Sequence, residues 1–479
     1  AKGQARPIPF VEDTAVPPEN LADFILEFRK VLDDAGLAYG MFGHVDAGVL
    51  HVRPTIDMKD PTQEGLIREI TDKVVGLTQK YNGLLWGEHG KGLRSEFAPA
   101  FFGDLYPQLQ RIKAEFDPHN QLNPGKIATP AADIALKKID EVPTRGQQDR
   151  LIPVQVWDAY DEGMFCNGNG ACYNWNPNDA MCPSWKGTRE RIHSPKGRAS
   201  LIREWLKQLS DRGVDPLTES TQIRERSFVK SLFPRLKNTL AKRRGDYDFS
   251  NEVNEAMQGC LACKSCVGQC PIKVDVPEFR SKFLEIYYGR YLRPLKDYFV
   301  GGLEFMVPTL ARVPWLYNIL IDNPLSTWLL KDVAGMVDSP RLSGINLDKL
   351  VQLHQAQWAS AKALNALSDE EKALSVILVQ DAFTSYFETQ VVGDTLAVLN
   401  KLGFKVYVAP FSPNGKPLHV HGFLGKFKKT ASGTAAELKQ LSDQGIPLMG
   451  IEPSMTLAYR AEYQKVLKTE DVPEVMLVQ

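Results

Sequence analysis

No stretch of the 479 residues reaches about 18 consecutive apolar side chains, which excludes a membrane-spanning helix. Excess charge of either sign is also missing: 57 Lys and Arg stand against 58 Asp and Glu, for a net charge of -1. A nucleic-acid-binding domain usually shows as strongly basic, so no nucleic-acid partner is expected. Ala1 opens a polar stretch without an apolar h-region, so no signal peptide is expected either. Cysteine is absent before residue 166 and after residue 270, and the total is only seven. That excludes a disulfide scaffold. An odd, clustered set in a chain without an export signal reads as metal chemistry in a reducing compartment, and the cytoplasm is the expected location.

The length suggests about three domains at roughly 150 residues each. Residues 1–128 alternate strand and helix patterns: Leu21, Phe24, Ile25, Phe28 and Val31 share a helix face, Leu37 to Phe42 and Val49 to Val52 read as strands, and helices follow at about 62–80 and 104–115. This piece has the look of part of an α+β domain. It begins without Met, which predicts a preceding portion on polypeptide outside this chain. Residues 129–150 are polar and carry Pro and Ala, as a linker does. Residues 151–300 hold every cysteine and read as a helical, ferredoxin-like iron–sulfur domain, with a basic amphipathic stretch from Arg224 to Arg244 whose charge reads as a solvated face.

Residues 301–370 form a helical connector, broken by Pro308, Pro314 and Pro324. Its aromatic and aliphatic content suits packing against its own core or a partner first, and a peripheral position at the inner face of the membrane second. Residues 371–479 then alternate strand and helix: Ser375 to Gln380, a helix at 388–402, Phe404 to Ala409, a helix at 430–443, and Pro447 to Ile451. This βαβαβ order predicts an α/β domain with a parallel sheet. No GxGxxG or P-loop accompanies it, so it offers no nucleotide fingerprint.

Two constellations carry chemistry. Cys260-Leu-Ala-Cys263-Lys-Ser-Cys266-Val-Gly-Gln-Cys270-Pro271 has the C-x2-C-x2-C-x3-C-P spacing, with which thiolates wrap a [4Fe-4S] cubane. A zinc ribbon would need two separated CxxC knuckles. Cys166, Cys172 and Cys182-Pro183 resemble the same motif with its second position, Asn169, unable to ligate. Under crossed ligation Cys182 completes the cluster of Cys260, Cys263 and Cys266, while Cys270 joins Cys166 and Cys172. Three arrangements fit: one cubane with spare thiols; two clusters, the second a three-iron centre or one with a non-Cys ligand; or early cysteines that are only buried apolar residues.

The second constellation is Gly43-His44-Val-Asp-Ala-Gly48-Val-Leu-His51 with Gly87-Glu88-His89-Gly90-Lys91-Gly92. Two imidazoles and a carboxylate make an open divalent-metal site of the zinc or manganese kind. His44, His51 and Glu88 are the candidate ligands, and the adjacent His89 would be placed as general base. Satisfied structural histidines would give the same spacing. His119, His193 and His354 lack such company, and His419 and His421 read as surface residues on a strand.

These motifs, with Phe116-Asp117-Pro118-His119-Asn120-Gln-Leu-Asn123-Pro124-Gly125-Lys126, resemble the FAD-linked oxidase family, flavoenzymes that oxidise D-2-hydroxyacids. Residues 1–128 are similar to the end of that family's cap and its C-terminal return to the flavin domain. Residues 151–300, including Ser194-Pro195-Lys196-Gly197-Arg198-Ala199, resemble the iron–sulfur subunit of glycolate oxidase, and residues 375–479 a cysteine-rich domain of the heterodisulfide-reductase type. The fusion order is similar to that of the large bacterial D-2-hydroxyglutarate dehydrogenase family.

The resemblance implies a metal at His44, His51 and Glu88, His89 beside the substrate hydroxyl, and Asn123 near FAD. Arg53, Lys91 and Arg94 are candidates for the substrate carboxylates. It implies oxidation of a D-2-hydroxyacid, D-2-hydroxyglutarate to 2-oxoglutarate first and D-lactate or glycolate next, with electrons passing through [4Fe-4S] to a non-NAD acceptor such as a quinone or an electron-transfer protein. FAD would be bound mainly by a portion outside this chain or by a partner chain, and a homo-oligomer is expected. The alternative is a non-catalytic electron-transfer subunit whose partner holds the flavin. The sequence departs from the family where Asp46-Ala47-Gly48-Val49 replaces Gly-Asp-Gly-Asn. It departs again at Glu452-Pro453-Ser454-Met455, where a Cys usually closes the motif, so that domain's own cluster is not expected.

Overall fold

A computed structural model describes residues 5–90, 92–337 and 339–478. They fall into two compact units, Ala1–Pro153 and Val154–Gln479.

In the first unit β1 (Arg6–Pro7), β2 (Thr14–Ala15) and β3 (Tyr39–His44) each pair antiparallel with β4 (Val49–Ile56). The β3–β4 register sets Phe42 opposite His51 and His44 opposite Val49. Between them the chain reverses through Val45–Ala47 and leaves at Gly48, whose φ is +66°. A side chain there would strike the Val16 carbonyl oxygen, so both dihedral and space require glycine.

The helix Leu21–Asp34 buries Leu21, Phe24, Phe28 and Leu32, and the helix Leu66–Lys80 buries Ile67, Ile70, Val74 and Leu77. Both stripes close over Leu50, Val52 and Ile56 of β4. Each such side chain contributes roughly 1.5–3 kcal/mol on leaving water. Residues 129–150, expected as a linker, are fastened to this unit: Ile139 lies in the same core, and Arg68 bridges Glu96 at 3.0 Å and Asp140 at 2.5 Å. Their polar composition hid one apolar anchor and one ion-pair partner.

In the second unit the helices Pro195–Asp211, Phe249–Gln258 and Val276–Arg290 pack around Trp205, Phe279 and Phe283, with Trp205 edge-on to Phe283 at 5.0 Å. The basic stretch is divided between the helices Pro216–Glu225 and Phe228–Arg243, and Val229 and Phe233 of the latter are exposed rather than buried beneath the charges. Short helices follow at Leu303–Leu310, Pro314–Asp322 and Pro324–Trp328. Pro308 lies inside the first of them instead of ending it. Trp315, Ile319 and Leu325 are more than half exposed, whereas Val351 and Leu364 further along the connector are buried in the cores of the C-terminal sheet.

The C-terminal sheet contains β5 (Gln357–Trp358), β6 (Ser375–Val379), β7 (Lys405–Val408), β8 (Leu448–Gly450) and β9 (Val475–Leu477), in the order β5-β7-β6-β8-β9, all parallel. Alternate residues serve opposite faces. Ile377, Val379 and Tyr407 meet the helix Leu424–Ser442, whereas Val376, Leu378, Val406 and Val408 meet the helix Thr389–Lys401. A sheet covered on both faces explains the unbroken apolar run of β6.

His419 is a correction. It is buried on the helix Lys416–Val420, with Nε2 3.1 Å from Glu278 Oε2, not on an exposed strand. Gly415 at φ +82° and Pro417 in the first turn start a helix that the apolar pattern concealed.

Candidate functional site

Glu88 Oε1 is the hub of the first constellation. It lies 2.9 Å from His51 Nε2, 3.4 Å from His44 Nε2 and 3.5 Å from His89 Nε2. His51 is buried on β4, His44 is exposed at the end of β3, and the rings of His51 and His89 stack at 5.0 Å. The loop bearing Glu88 and His89 is held by Asp13, a fully buried residue at φ +70°. Its carboxylate accepts the backbone N–H groups of Glu88 and His89, both at 2.9 Å, and its carbonyl accepts that of Gly87 at 2.7 Å.

These side chains fit a metal. Ligand atoms each about 2.0–2.2 Å from a tetrahedral ion stand about 3.4 Å apart, close to the separations around Glu88. The tightest mutual set, with ligand atoms all within 4.8 Å, comprises Asp13, His51, Glu88 and His89. The structure therefore gathers all four predicted residues. His44 approaches Glu88 as closely as His89 does but lies outside the four-residue set, which includes Asp13 instead.

Behind this cluster His51 Nδ1 is buried without a hydrogen bond and faces Glu12 at 3.8 Å. Glu12 accepts from Arg53 at 2.8 Å, a bond that raises the half-exposed guanidinium's pKa above its ordinary value. Arg94 is buried and donates to the carbonyl oxygens of Glu12 and, at 2.9 Å, Leu85; burial lowers its pKa. One face of Arg94 thus braces the 12–13 segment, and the residue also lines a cleft with Phe10, Glu12, Asp13 and His89. Asn123 occupies an exposed turn at φ +49°, its carbonyl accepting from Lys126 N–H at 3.2 Å. Lys91 lies outside the described residues. Glu12 and Asp13 escaped the sequence reading because an isolated acidic pair acquires meaning only through residues about 40 and 75 positions away.

All seven cysteines are free thiols. Cys182, Cys260, Cys263 and Cys266 line one cavity, and Cys166, Cys172 and Cys270 are not among its lining residues. This partition is the one crossed ligation requires. Ala262 at φ +54° and Lys264 at φ +58° bend the loop, in which Cys266 is buried, Cys260 partly buried and Cys263 exposed. Burial pushes the Cys266 thiol up to about 12 and Cys260 and Cys172 upward as well. Against that pull, the backbone N–H groups of Val276, Ala262 and Lys196 lower Cys266, Cys260 and Cys172 respectively. Val276 and Lys196 open the helices Val276–Arg290 and Pro195–Asp211, whose positive N-terminal ends favour thiolate. Backbone donors that lower buried thiols suit cluster ligands. His193, which the sequence left without company, has its buried Nδ1 beside Gly259, next to Cys260.

By class, the first unit is similar to a flavoenzyme part: residues 1–127 match the family described as FAD linked oxidases, C-terminal domain. More particularly, the whole chain is 56% identical over 479 residues to the D-2-hydroxyglutarate dehydrogenase of Pseudomonas putida, covering 100% of this chain and 47% of that one. It is 53% identical over 473 residues to the D-2-hydroxyglutarate dehydrogenase of Escherichia coli (98% and 46%). It is 30% identical over 135 residues to the glycolate oxidase subunit GlcD of Bacillus subtilis (26% and 27%). The chain spans about half the length of the two D-2-hydroxyglutarate dehydrogenases. No solved structure matches it. Among the described residues no helix is long and apolar enough to cross a membrane.

Proposed function

We propose that this chain supplies part of the substrate site and the electron relay of a D-2-hydroxyacid dehydrogenase, with D-2-hydroxyglutarate as substrate and 2-oxoglutarate as product. The observation that carries the reading is the convergence of three imidazoles on the Glu88 carboxylate, in a unit matched to FAD linked oxidases. The identity to D-2-hydroxyglutarate dehydrogenases along the full chain supports the choice of substrate.

Oxidising a secondary alcohol removes a hydride from C2 and a proton from the hydroxyl. FAD, contributed mainly by polypeptide beyond this chain, supplies the hydride acceptor when bound. His44, His51 and Glu88 would hold a zinc or manganese ion, whose chemistry when bound would be to polarise the hydroxyl oxygen. His89, 3.8 Å from buried Asp13 through Nδ1, takes the hydroxyl proton. Arg53 and Arg94 border this region from the Glu12 side and offer positive charge to substrate carboxylates.

Cys182, Cys260, Cys263 and Cys266 would hold a [4Fe-4S] cluster, whose chemistry is to carry electrons singly to a quinone or protein acceptor. Cys166, Cys172 and Cys270 would hold a second centre of three-iron type or with a non-Cys ligand. A pure electron-transfer subunit would have no use for the histidine–glutamate site, and that site favours the enzymatic reading. The test is anaerobic mixing of the complete enzyme with a panel of D- and L-2-hydroxyacids while flavin absorbance is followed. Bleaching by D-2-hydroxyglutarate ahead of D-lactate and glycolate supports the proposal; bleaching by none of them refutes it.

A further inference from the structure

Two buried arginines beside the cysteine cavity lack the partner that buried cations need. Arg198 is 1% exposed and Arg280 is 8% exposed. Arg198 donates through Nε to the Ala256 carbonyl at 2.8 Å, through Nη1 to the His193 carbonyl at 2.5 Å, and through Nη2 to Ser184 Oγ at 2.9 Å. Its Nη1 also stands 3.9 Å from Cys182 Sγ. Arg280 donates through Nε to the Met257 carbonyl at 2.9 Å and through Nη1 to the Val420 carbonyl at 2.5 Å.

Neither guanidinium has a carboxylate oxygen within 4.0 Å among the described residues, although a buried charge without a counter-charge is expensive. Nearby cations are treated differently. Arg293 has Asp297 at 3.6 Å, and Lys264, between Cys263 and Cys266, has Asp275 at 3.2 Å and Glu462 at 3.3 Å. Asp297 is the acid whose field reaches Arg280, but it is engaged by Arg293 and by His421 at 3.1 Å. Both orphan cations are tied to the cysteine loop by geometry: Arg198 Nη1 reaches Cys182 Sγ, and the Met257 carbonyl that accepts from Arg280 Nε also accepts the Cys260 N–H at 3.1 Å.

A cubane held by four thiolates carries roughly two negative charges and gains another on reduction. We infer that Arg198 and Arg280 are the buried counter-cations of the cluster held by Cys182, Cys260, Cys263 and Cys266, and that they raise its reduction potential. The inference rests on the iron–sulfur reading above. Fixed positive charge in a low-dielectric site favours the more anionic, reduced form, so the centre becomes a better electron acceptor. The geometry also gives the cysteine-free C-terminal domain a part, because the Val420 carbonyl that fixes Arg280 belongs to its helix Lys416–Val420. Both arginines are positioning residues: they act through the cluster and touch no substrate.

The experiment is an anaerobic redox titration of the complete holoenzyme followed by electron paramagnetic resonance, with iron counted per chain. The centre is identified as the signal lost in Cys263→Ser. Arg198→Gln and Arg280→Gln should each raise the oxidised-to-reduced ratio at fixed potential about tenfold, a midpoint lower by about 59 mV for a one-electron couple. Arg198→Lys and Arg280→Lys should titrate near wild type. Glutamine variants with full iron and an unchanged midpoint would overturn the inference. If glutamine empties the site while lysine keeps iron and midpoint, the need for charge is upheld; loss with both substitutions would mean packing alone and would also overturn it. An iron-free wild-type holoenzyme is a separate result, one that removes the iron–sulfur reading itself.

Discussion

Replacing Asp13 by alanine probes the site at its support. Asp13 is fully buried, and its carboxylate holds the N–H groups of Glu88 and His89 at 2.9 Å each. A hydrogen bond to a charged group is worth about 1.5–3 kcal/mol, so the pair biases this loop by roughly 3–6 kcal/mol. Glu88 and His89 are about half exposed, so water recovers part of that loss when the carboxylate is gone. About 2–3 kcal/mol then remains as lost metal affinity, a Kd weakened roughly 30- to 150-fold. Asp13→Asn keeps one acceptor and turns an amide N–H toward the other donor, so it should fall between the two. The assay is zinc and manganese titration against a chromophoric chelator, with a thermal melt to confirm that the variant is folded. Wild-type Kd in a folded Asp13→Ala protein would refute the claim that Asp13 builds the site.

Three further outcomes follow from the geometry. Ile139→Ala should cost about 2–4 kcal/mol in denaturant unfolding of the first unit, because Ile139 lies in its core; a change below 0.5 kcal/mol would return residues 129–150 to the status of a linker. Glu304 is 1% exposed, and burial pushes its carboxyl up to about 7 although it accepts backbone N–H bonds from Asn414 at 2.8 Å and Gly415 at 2.7 Å. The folded state therefore keeps a proton that the unfolded chain releases near 4.5, so this contribution is complete below about pH 4.5 and is lost as pH rises through about 7, a fall of about 3 kcal/mol. Melting curves from pH 5 to 8 should show that fall and Glu304→Gln should flatten it; an equal slope in the variant would assign it to another group. Cys263→Ser should slow turnover with the physiological acceptor far more than with a small dye reduced at the flavin, and equal losses would take Cys263 out of the relay.

What the sequence disclosed follows from how local each signal is. The C-x2-C-x2-C-x3-C-P spacing is written in twelve consecutive residues, and the buried strand Ser375–Val379 in five, so both were readable. The gathering of His44, His51, Glu88 and His89 was foreseen from two short glycine-flanked motifs. Glu12, Asp13 and Arg198 were not, since each is one ordinary charged residue until the fold sets it against distant backbone or sulfur. His419 was misplaced because a period-two pair resembles a strand, whereas a left-handed glycine and a proline two residues later begin a helix. The exposed aromatic helices after Leu303 show the opposite difficulty: their apolar content suggested burial, but Pro314 and Pro324 each begin a new short helix, and Trp315 and Trp328 are more than half exposed.

Rapid-freeze electron paramagnetic resonance of the complete enzyme, mixed anaerobically with D-2-hydroxyglutarate in the absence of acceptor, tests the central claim most directly. The account predicts a reduced-cluster signal that grows within turnover time with the D-isomer, is absent with the L-isomer, and vanishes in Cys263→Ser. Flavin reduction with no iron signal at any time would contradict it.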